Sequence, residues 1–394
     1  MNEVLDLTSA IQKIIPIVVK WRRYFHEHPE LSYEEFHTSD FIYDQLISFG
    51  NLEVTRLTKT SIVAKLIGSK PGKTIALRAD MDALPIQEET TFSFASKTPD
   101  IMHACGHDGH IAILLGVAKI VSQLKDHIYG EIRFIFQHAE EVFPGGAKEL
   151  VDLGVLEGVN QIFGIHLLSS IPTGKIGITT GSFTANSDTF EIEIIGKGGH
   201  SAEPNKSINP LLIGAQLINN LHHIISQKVD VDERAILAVT EFNGGSAKNI
   251  IPDRAFLGGG VRTFSSIVRK TIEREIEQHA KNITAVYGAN YIFEYTYGYS
   301  SIINDTELSL EIEKVVSEYF GDDAILRNSP IMVGEDFSAY LTKVPGIFVG
   351  VGAAFEDETL NYPHHHPKFA INENALENGL KLFIYTISRW NMKC

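Results

Sequence analysis

A chain of 394 residues, at roughly 150 residues per domain, exceeds what one hydrophobic core serves and predicts two domains. With 44% apolar residues it is globular, and a net charge of -15 without a sustained Lys/Arg stripe excludes nucleic acid and anionic lipid, leaving a small molecule as the expected ligand. The acidic opening MNEVLDLTSA and the short run IIPIVV, broken by Pro16, predict neither a signal peptide nor a membrane span, hence a cytoplasmic location.

Helical patterning runs from about Leu7 to Phe25 and again after Ser32, where YEEFHTSDFIYDQLISF repeats apolar residues at three- and four-residue spacing. Strands follow at 61–68, 74–79, 131–137 and 161–168, with helices at 110–124 and after Pro144. From Phe183 to Tyr299 the order becomes strand 190–196, helix 209–227, strands 235–242 and 255–264, helix 265–288 and strand 291–298, a ferredoxin-like βαββαβ unit. The first pattern then resumes with TELSLEIEKVVSEYF and a strand at 346–352. The expected fold class is therefore α/β: a layered domain with a mostly parallel sheet, built from 1–182 and 300–394, with residues 183–299 inserted as a second domain.

The polar clusters fall just beyond strand ends, where open α/β sheets bind ligands. Asp80 and Asp82 follow one strand, His138, Glu140 and Glu141 follow another, His166 sits in a third, and His364, His365 and His366 come shortly after the last. Cys105 and His107, two apart in MHACGHD, would point to one side of an extended segment, and a thiolate with an imidazole suits zinc or a similar divalent ion. Asp108 is placed to orient His107. Of two adjacent carboxylates, Glu140 and Glu141, one can bind metal while the other serves as a base. A disulfide from Cys105 to Cys394 is not expected in a reducing cytosol. Arg262 ends a strand and is suited to a bidentate grip on a carboxylate. GEDF (334–337) reads as acidic residues in the first turn of a helix, with a role for Glu335 or Asp336 at or behind the site as the alternative.

Taken together, RADMDALPI (78–86), MHACGHDGH (102–110), FQHAEE (136–141), FGIHL (163–167), GKGGHSAEP (196–204), GGSAKNIIPD (244–253), GEDF and the early HEHPELSYEE (26–35) resemble the M20 metallopeptidase clan. The nearest likeness is to its amidohydrolase branch of hippurate hydrolases, aminoacylases, N-acetyldiaminopimelate deacetylases and auxin-conjugate hydrolases. The resemblance implies Cys105, His107, Glu141, His166 and one histidine of 364–366 as metal ligands, with Glu140 as general base. A histidine two places before proline, the family's usual pattern, selects His365. Asp80 and Asp82 would support the ligands, His200 would stabilise an oxyanion in a neighbouring subunit's site, and Asn249 and Arg262 would hold substrate. The resemblance further implies two divalent ions per subunit, Mn²⁺ or Zn²⁺ with Co²⁺ or Ni²⁺ as alternatives, and a homodimer or homotetramer formed through the inserted lid domain. The implied reaction is cleavage of N-acyl amino acids by a metal-activated water. A dipeptidase or aminopeptidase, and a metal-dependent binding protein without turnover, are the alternatives. His138 stands where the family often has proline.

Overall fold

The computed structural model describes residues 6–327 and 330–392, and divides them into two units. One takes the residues through Phe183, those from Ile302 to Arg327 and those from Asp336 onward; the other takes Thr184–Ser301 and Pro330–Glu335.

The first unit opens with α1 (Leu7–Glu27), where the Asp6 carboxylate accepts a hydrogen bond from the Ser9 amide at 2.9 Å and so satisfies a donor that a helix start leaves open. Its buried residues Ile11, Ile14, Val18, Trp21 and Phe25 recur at helical spacing. After α2 (Phe36–Phe49) come β1 (Glu53–Arg56), β2 (Ile62–Ile67) and β3 (Lys70–Asp80), then α3 (His107–Ser122), β4 (Tyr129–Gln137), α4 (Gly146–Asp152), β5 (Gln161–Pro172), β6 (Ile176–Ile178) and β7 (Gly181–Ser182).

The second unit contains β8 (Asn186–Ile195), β9 (Gly199–His200), α5 (Pro210–Lys228), β10 (Ala235–Gly244), β11 (Ile250–Ile251), β12 (Arg254–Thr263), α6 (Ser266–Val286) and β13 (Asn290–Thr296). Four strands form an antiparallel sheet in the order β10-β12-β8-β13, the ferredoxin-like arrangement. Strand β8 alternates in burial, so Phe190, Ile192 and Ile194 join the core with Leu217, Leu221, Ile272 and Ile276 of α5 and α6. The sequence had the insertion end at Tyr299. In the structure the unit also takes back Pro330–Glu335, where the Ala185 amide bonds the Val333 carbonyl at 3.0 Å, a pairing across nearly 150 residues that no local pattern encodes.

The first unit resumes with β14 (Ile303–Asn304), α7 (Thr306–Phe320), β15 (Ile325–Arg327), α8 (Ser338–Leu341), β16 (Gly346–Ala354) and α9 (Asn374–Asn391). Its eight-stranded sheet has the order β1-β2-β4-β3-β5-β16-β6-β15. β4, β3, β5 and β16 are mutually parallel, as expected, whereas β1 and β2 form an antiparallel edge and β6 runs antiparallel to β16. All nine residues of β16 are buried, as in a parallel strand covered on both faces. Helix α3 is buried along nearly its whole length, and a Cβ on Gly116 would stand 2.7 Å from Val18 Cγ2, so glycine there admits α1 against it. No helix among the described residues is long and apolar enough to cross a membrane.

Candidate metal centre

The parallel strands end on a common edge, and the polar residues cluster there. Cys105 Sγ lies 3.5 Å from His166 Nε2 and 3.7 Å from His364 Nδ1. Ligand atoms of Cys105, His107 and Glu141 lie within 4.8 Å of one another, and His365 Nε2 is 3.2 Å from Glu141 Oε1. All five residues singled out as ligands thus converge. His364 reaches the Cys105 and His166 side of the cluster, and His365, at φ 65°, the Glu141 side.

The orientations follow from bonds behind the cluster. Nδ1 of His107 donates to the Asp82 carbonyl at 2.9 Å, and Nδ1 of His166 to the Leu167 carbonyl at 3.0 Å, which turns His107 Nε2 toward Cys105 and Glu141 and His166 Nε2 toward Cys105. Both His107 Nε2 and Glu141 Oε1 are buried without a hydrogen-bond partner. Sulfur, imidazole nitrogen and carboxylate oxygen left facing one another in this way fit a divalent cation. His110 differs, because its Nδ1 donates to Asp80 Oδ1 at 2.6 Å and its Nε2 accepts from the Leu167 amide at 2.9 Å, leaving neither nitrogen for a metal.

Convergence of Cys105 and His107 has a different cause from the one expected. The segment is not extended: Gly106 adopts φ 92°, a left-handed conformation open to glycine, and α3 begins at His107. Asp108 also departs from expectation. One position further round the helix, it faces away from His107, and its Oδ2 meets Arg22 Nε and His26 Nδ1, each at 2.8 Å. Burial alone would raise the Asp108 carboxyl, but the Arg22 charge and the His26 contact hold it well below the ordinary range. Replacing Asp108 with Asn should therefore cost about 3 kcal/mol in urea unfolding at pH 7, because buried Arg22 and His26 lose the carboxylate they share and keep only Glu373 at 3.4 Å and Glu88 at 3.2 Å. Since the native carboxyl is lowered, this contribution is present above the ordinary carboxylate range and is lost as pH falls below it, so wild type and Asp108→Asn should converge in acid. The signal for this network was in the sequence: Arg22 and His26 are polar residues at i and i+4 inside an otherwise apolar helical stripe.

Asp80 accepts from Arg78 Nη1 at 2.6 Å, and Arg78 Nη2 donates to Asp336 Oδ1 at 2.8 Å, all three residues fully buried. Asp336 therefore does not serve a helix start. It turns into the first unit and accepts from Gln137 Nε2 at 2.7 Å and the Ala147 amide at 2.9 Å. Asp82 Oδ2 accepts from the Glu141 amide at 2.9 Å and from Ser32 at 2.7 Å. His138 bonds Ser61 at 2.5 Å and Glu149 at 3.0 Å, which ties its ring to the loop's flank. Glu140 is 6% exposed, on the same loop as Glu141.

Protein charges alone leave this cluster strained. Burial, then the charges of Glu141, Glu140 and Asp80, pushes the Cys105 thiol well up. Burial opposes a charge on His107, yet Asp80, Asp82 and Glu141 outweigh it and push the ring up to about 10. Burial and neighbouring rings hold His166 well down and His364 down to about 3. A cation among them would reverse the preferences of Cys105 and His107, ionising the thiol and using the imidazole in its neutral form, and would match those of His166 and His364, whose rings are already held neutral. Cys105 is a free thiol; Cys394 lies outside the described residues.

In the second unit, His200 pairs across β9 and β11 with Ile250, and the Ser201 amide bonds the Asn249 carbonyl at 3.1 Å, so His200 and Asn249 line one surface pocket. The His200 Nδ1 accepts from the Ala202 amide at 3.1 Å, which leaves the neutral ring's hydrogen on Nε2. Arg262 is half-buried in β12, and its Nη1 donates to the Val261 carbonyl at 3.0 Å.

A model of peptidase family M20/M25/M40 matches residues 76–389. The chain is 53% identical over 302 residues to an N-acyl-L-amino acid amidohydrolase of Geobacillus stearothermophilus, covering 77% of this chain and 82% of that one. It is 38% identical over 382 residues to thermostable carboxypeptidase 1 of Saccharolobus solfataricus, covering 96% of each. Among solved structures, a Bacillus subtilis dinuclear metal-binding peptidase of the M20 family superposes with a TM-score of 0.84 at 34% identity, over 95% of this chain and 98% of that one. With four-fifths of its length matched and its buried Cys, His and Glu side chains gathered at the ends of parallel strands, the chain belongs to peptidase family M20/M25/M40.

Proposed function

We propose that the protein is a binuclear metal-dependent amidohydrolase acting on N-acyl amino acids. The observation that carries this is the pair of buried atoms facing Cys105, His107 Nε2 without a hydrogen-bond partner and Glu141 Oε1 beside His365, with Glu140 next along the chain. Cys105, His107, Glu141, His166 and His365 would hold two divalent ions, Mn²⁺ or Zn²⁺, with Co²⁺ or Ni²⁺ compatible with the mixed donor set. When bound, such ions supply Lewis acidity to the acyl carbonyl and acidify a water.

The chain's own groups do the rest. Glu140 takes the proton of the attacking water and passes it to the amide nitrogen as that bond breaks. The tautomer of His200 supports a hydrogen-bond donor role at Nε2 toward an oxyanion. Arg262, with Nη1 anchored on a backbone carbonyl, keeps its other guanidinium nitrogens for a substrate carboxylate, and Asn249 contributes a further polar contact. The exposed edge strand β10 of the second unit, with Ile236 and Phe242 open, supports assembly of two or four copies through that unit.

The carboxypeptidase relative favours one second reading, cleavage of peptides with a free carboxylate on the amine side. A panel of N-acetyl-, N-benzoyl- and free dipeptide substrates separates them: the proposal expects the N-acyl amino acids to give the higher kcat/KM, and a preference for unblocked dipeptides would overturn it.

A further inference from the structure

The loop that carries Glu140 and Glu141 is held mainly through its backbone. Three buried carboxylates from distant parts of the chain each take one amide: Glu35 Oε1 accepts from Ala139 at 2.8 Å, Asp82 Oδ2 from Glu141 at 2.9 Å, and Asp336 Oδ2 from Ala147 at 2.9 Å. The loop then closes on itself, the Gly146 amide meeting the Ala139 carbonyl at 2.9 Å.

Two of these carboxylates have other employment. Asp336 balances Arg78, and Asp82 lies against His107 and accepts from Ser32. Glu35 does not. It is fully buried, no cation among the described residues pairs with it, and the Thr60 hydroxyl is its other side-chain neighbour. It sits at the start of α2, where a carboxylate ordinarily caps its own helix, yet its side chain makes no capping bond and turns to Ala139 instead. Burial, then the Asp82 charge, raises this carboxyl to about 7, which is what isolation from water and cations costs it.

What it holds is unusual as well. Ala139 has φ 48°, a left-handed conformation that a residue with a Cβ seldom adopts unless its surroundings impose it. That torsion sets the direction in which the next two residues leave β4.

We propose that Glu35 is a positioning residue for hydrolysis: by accepting the Ala139 amide it locks the left-handed turn from which Glu140 is aimed. This rests on the reading of Glu140 as the base. It makes Glu35 important to rate without touching substrate or metal.

The test is a set of variants assayed with an N-acetyl amino acid, with metal content and unfolding followed in parallel. Glu35→Ala should lower kcat about 10- to 100-fold, the range seen when a partner behind a functional residue is removed, at unchanged KM and metal content. Glu35→Gln keeps a carbonyl oxygen for the same amide and should recover most of the rate. Glu35→Asp keeps the charge but withdraws the oxygen by one methylene, so it should be slow, and it remains informative if the alanine variant does not fold. Because Glu35 acts through Glu140, the Glu35→Ala/Glu140→Ala pair should be no slower than Glu140→Ala alone. The proposal is overturned if Glu35→Gln is as slow as Glu35→Ala, if Glu35→Asp keeps the full rate, if the slow variants have lost metal in proportion to rate, or if the double variant is additive. Wild-type turnover in Glu140→Ala would instead remove the base assignment and the Glu35 proposal with it, whereas additivity removes only the latter.

Discussion

Replacing Glu140 with Ala should lower kcat by about 100- to 10,000-fold while metal content stays near wild type, the loss expected when a general base is removed from a site whose other parts remain. The buried position of Glu140 next to Glu141 makes this a discriminating variant. Were it merely one of a solvated pair, its loss would change neither rate nor metal. Were it a ligand, metal and rate would fall together. Elemental analysis of the variant beside its steady-state kinetics separates the three cases, and full turnover excludes Glu140 as the base.

Cys105→Ala carries the second large effect, and it acts on the metal. The sulfur faces His166, His364 and the His107 and Glu141 pair, so its removal takes a donor from the middle of the cluster. Activity and metal affinity should each fall by more than the roughly 10- to 100-fold that losing a supporting partner costs. Chelator-treated wild type and variant should have similar stability, because the buried thiol is pushed toward its neutral form by burial and surrounding carboxylates and then behaves as a small apolar group. If Cys105 were only a core residue, Cys105→Ala would leave activity and metal affinity intact. Equilibrium dialysis against the chosen ion, with unfolding curves on the stripped proteins, reads both.

The sequence carried the α/β class and the largely parallel sheet because both are written in short-range patterns, apolar runs at 131–137, 161–168 and 346–352 separated by helical periodicity. The edge position of the polar clusters followed from the same reading, since strand ends in such sheets face a common crevice. Side-chain direction was less legible. Cys105 and His107 meet because Gly106 is left-handed, not because they alternate along a strand, and Asp108 turns to Arg22 and His26 because one helical step carries it off the metal face. Of the two readings open for Asp336, a helix-start acid or a residue behind the site, the structure has the second, as the partner of Arg78, 258 positions away. Glu35 ends the run HEHPELSYEE, and nothing in its neighbourhood announces that its oxygen reaches Ala139 across 104 residues. These are long-range pairings of polar groups. No periodicity specifies them, whereas the burial that makes them costly also makes them visible once the chain is folded.

Titration of a divalent ion into chelator-stripped wild-type protein, with hydrolysis of an N-acetyl amino acid followed at each addition, tests the central claim most directly. Converging Cys105, His107, Glu141, His166 and His365 predict a stripped protein without turnover and activity that rises to a plateau at two equivalents per chain. Full turnover before any ion is added, or tight ion binding that never produces hydrolysis, would contradict it.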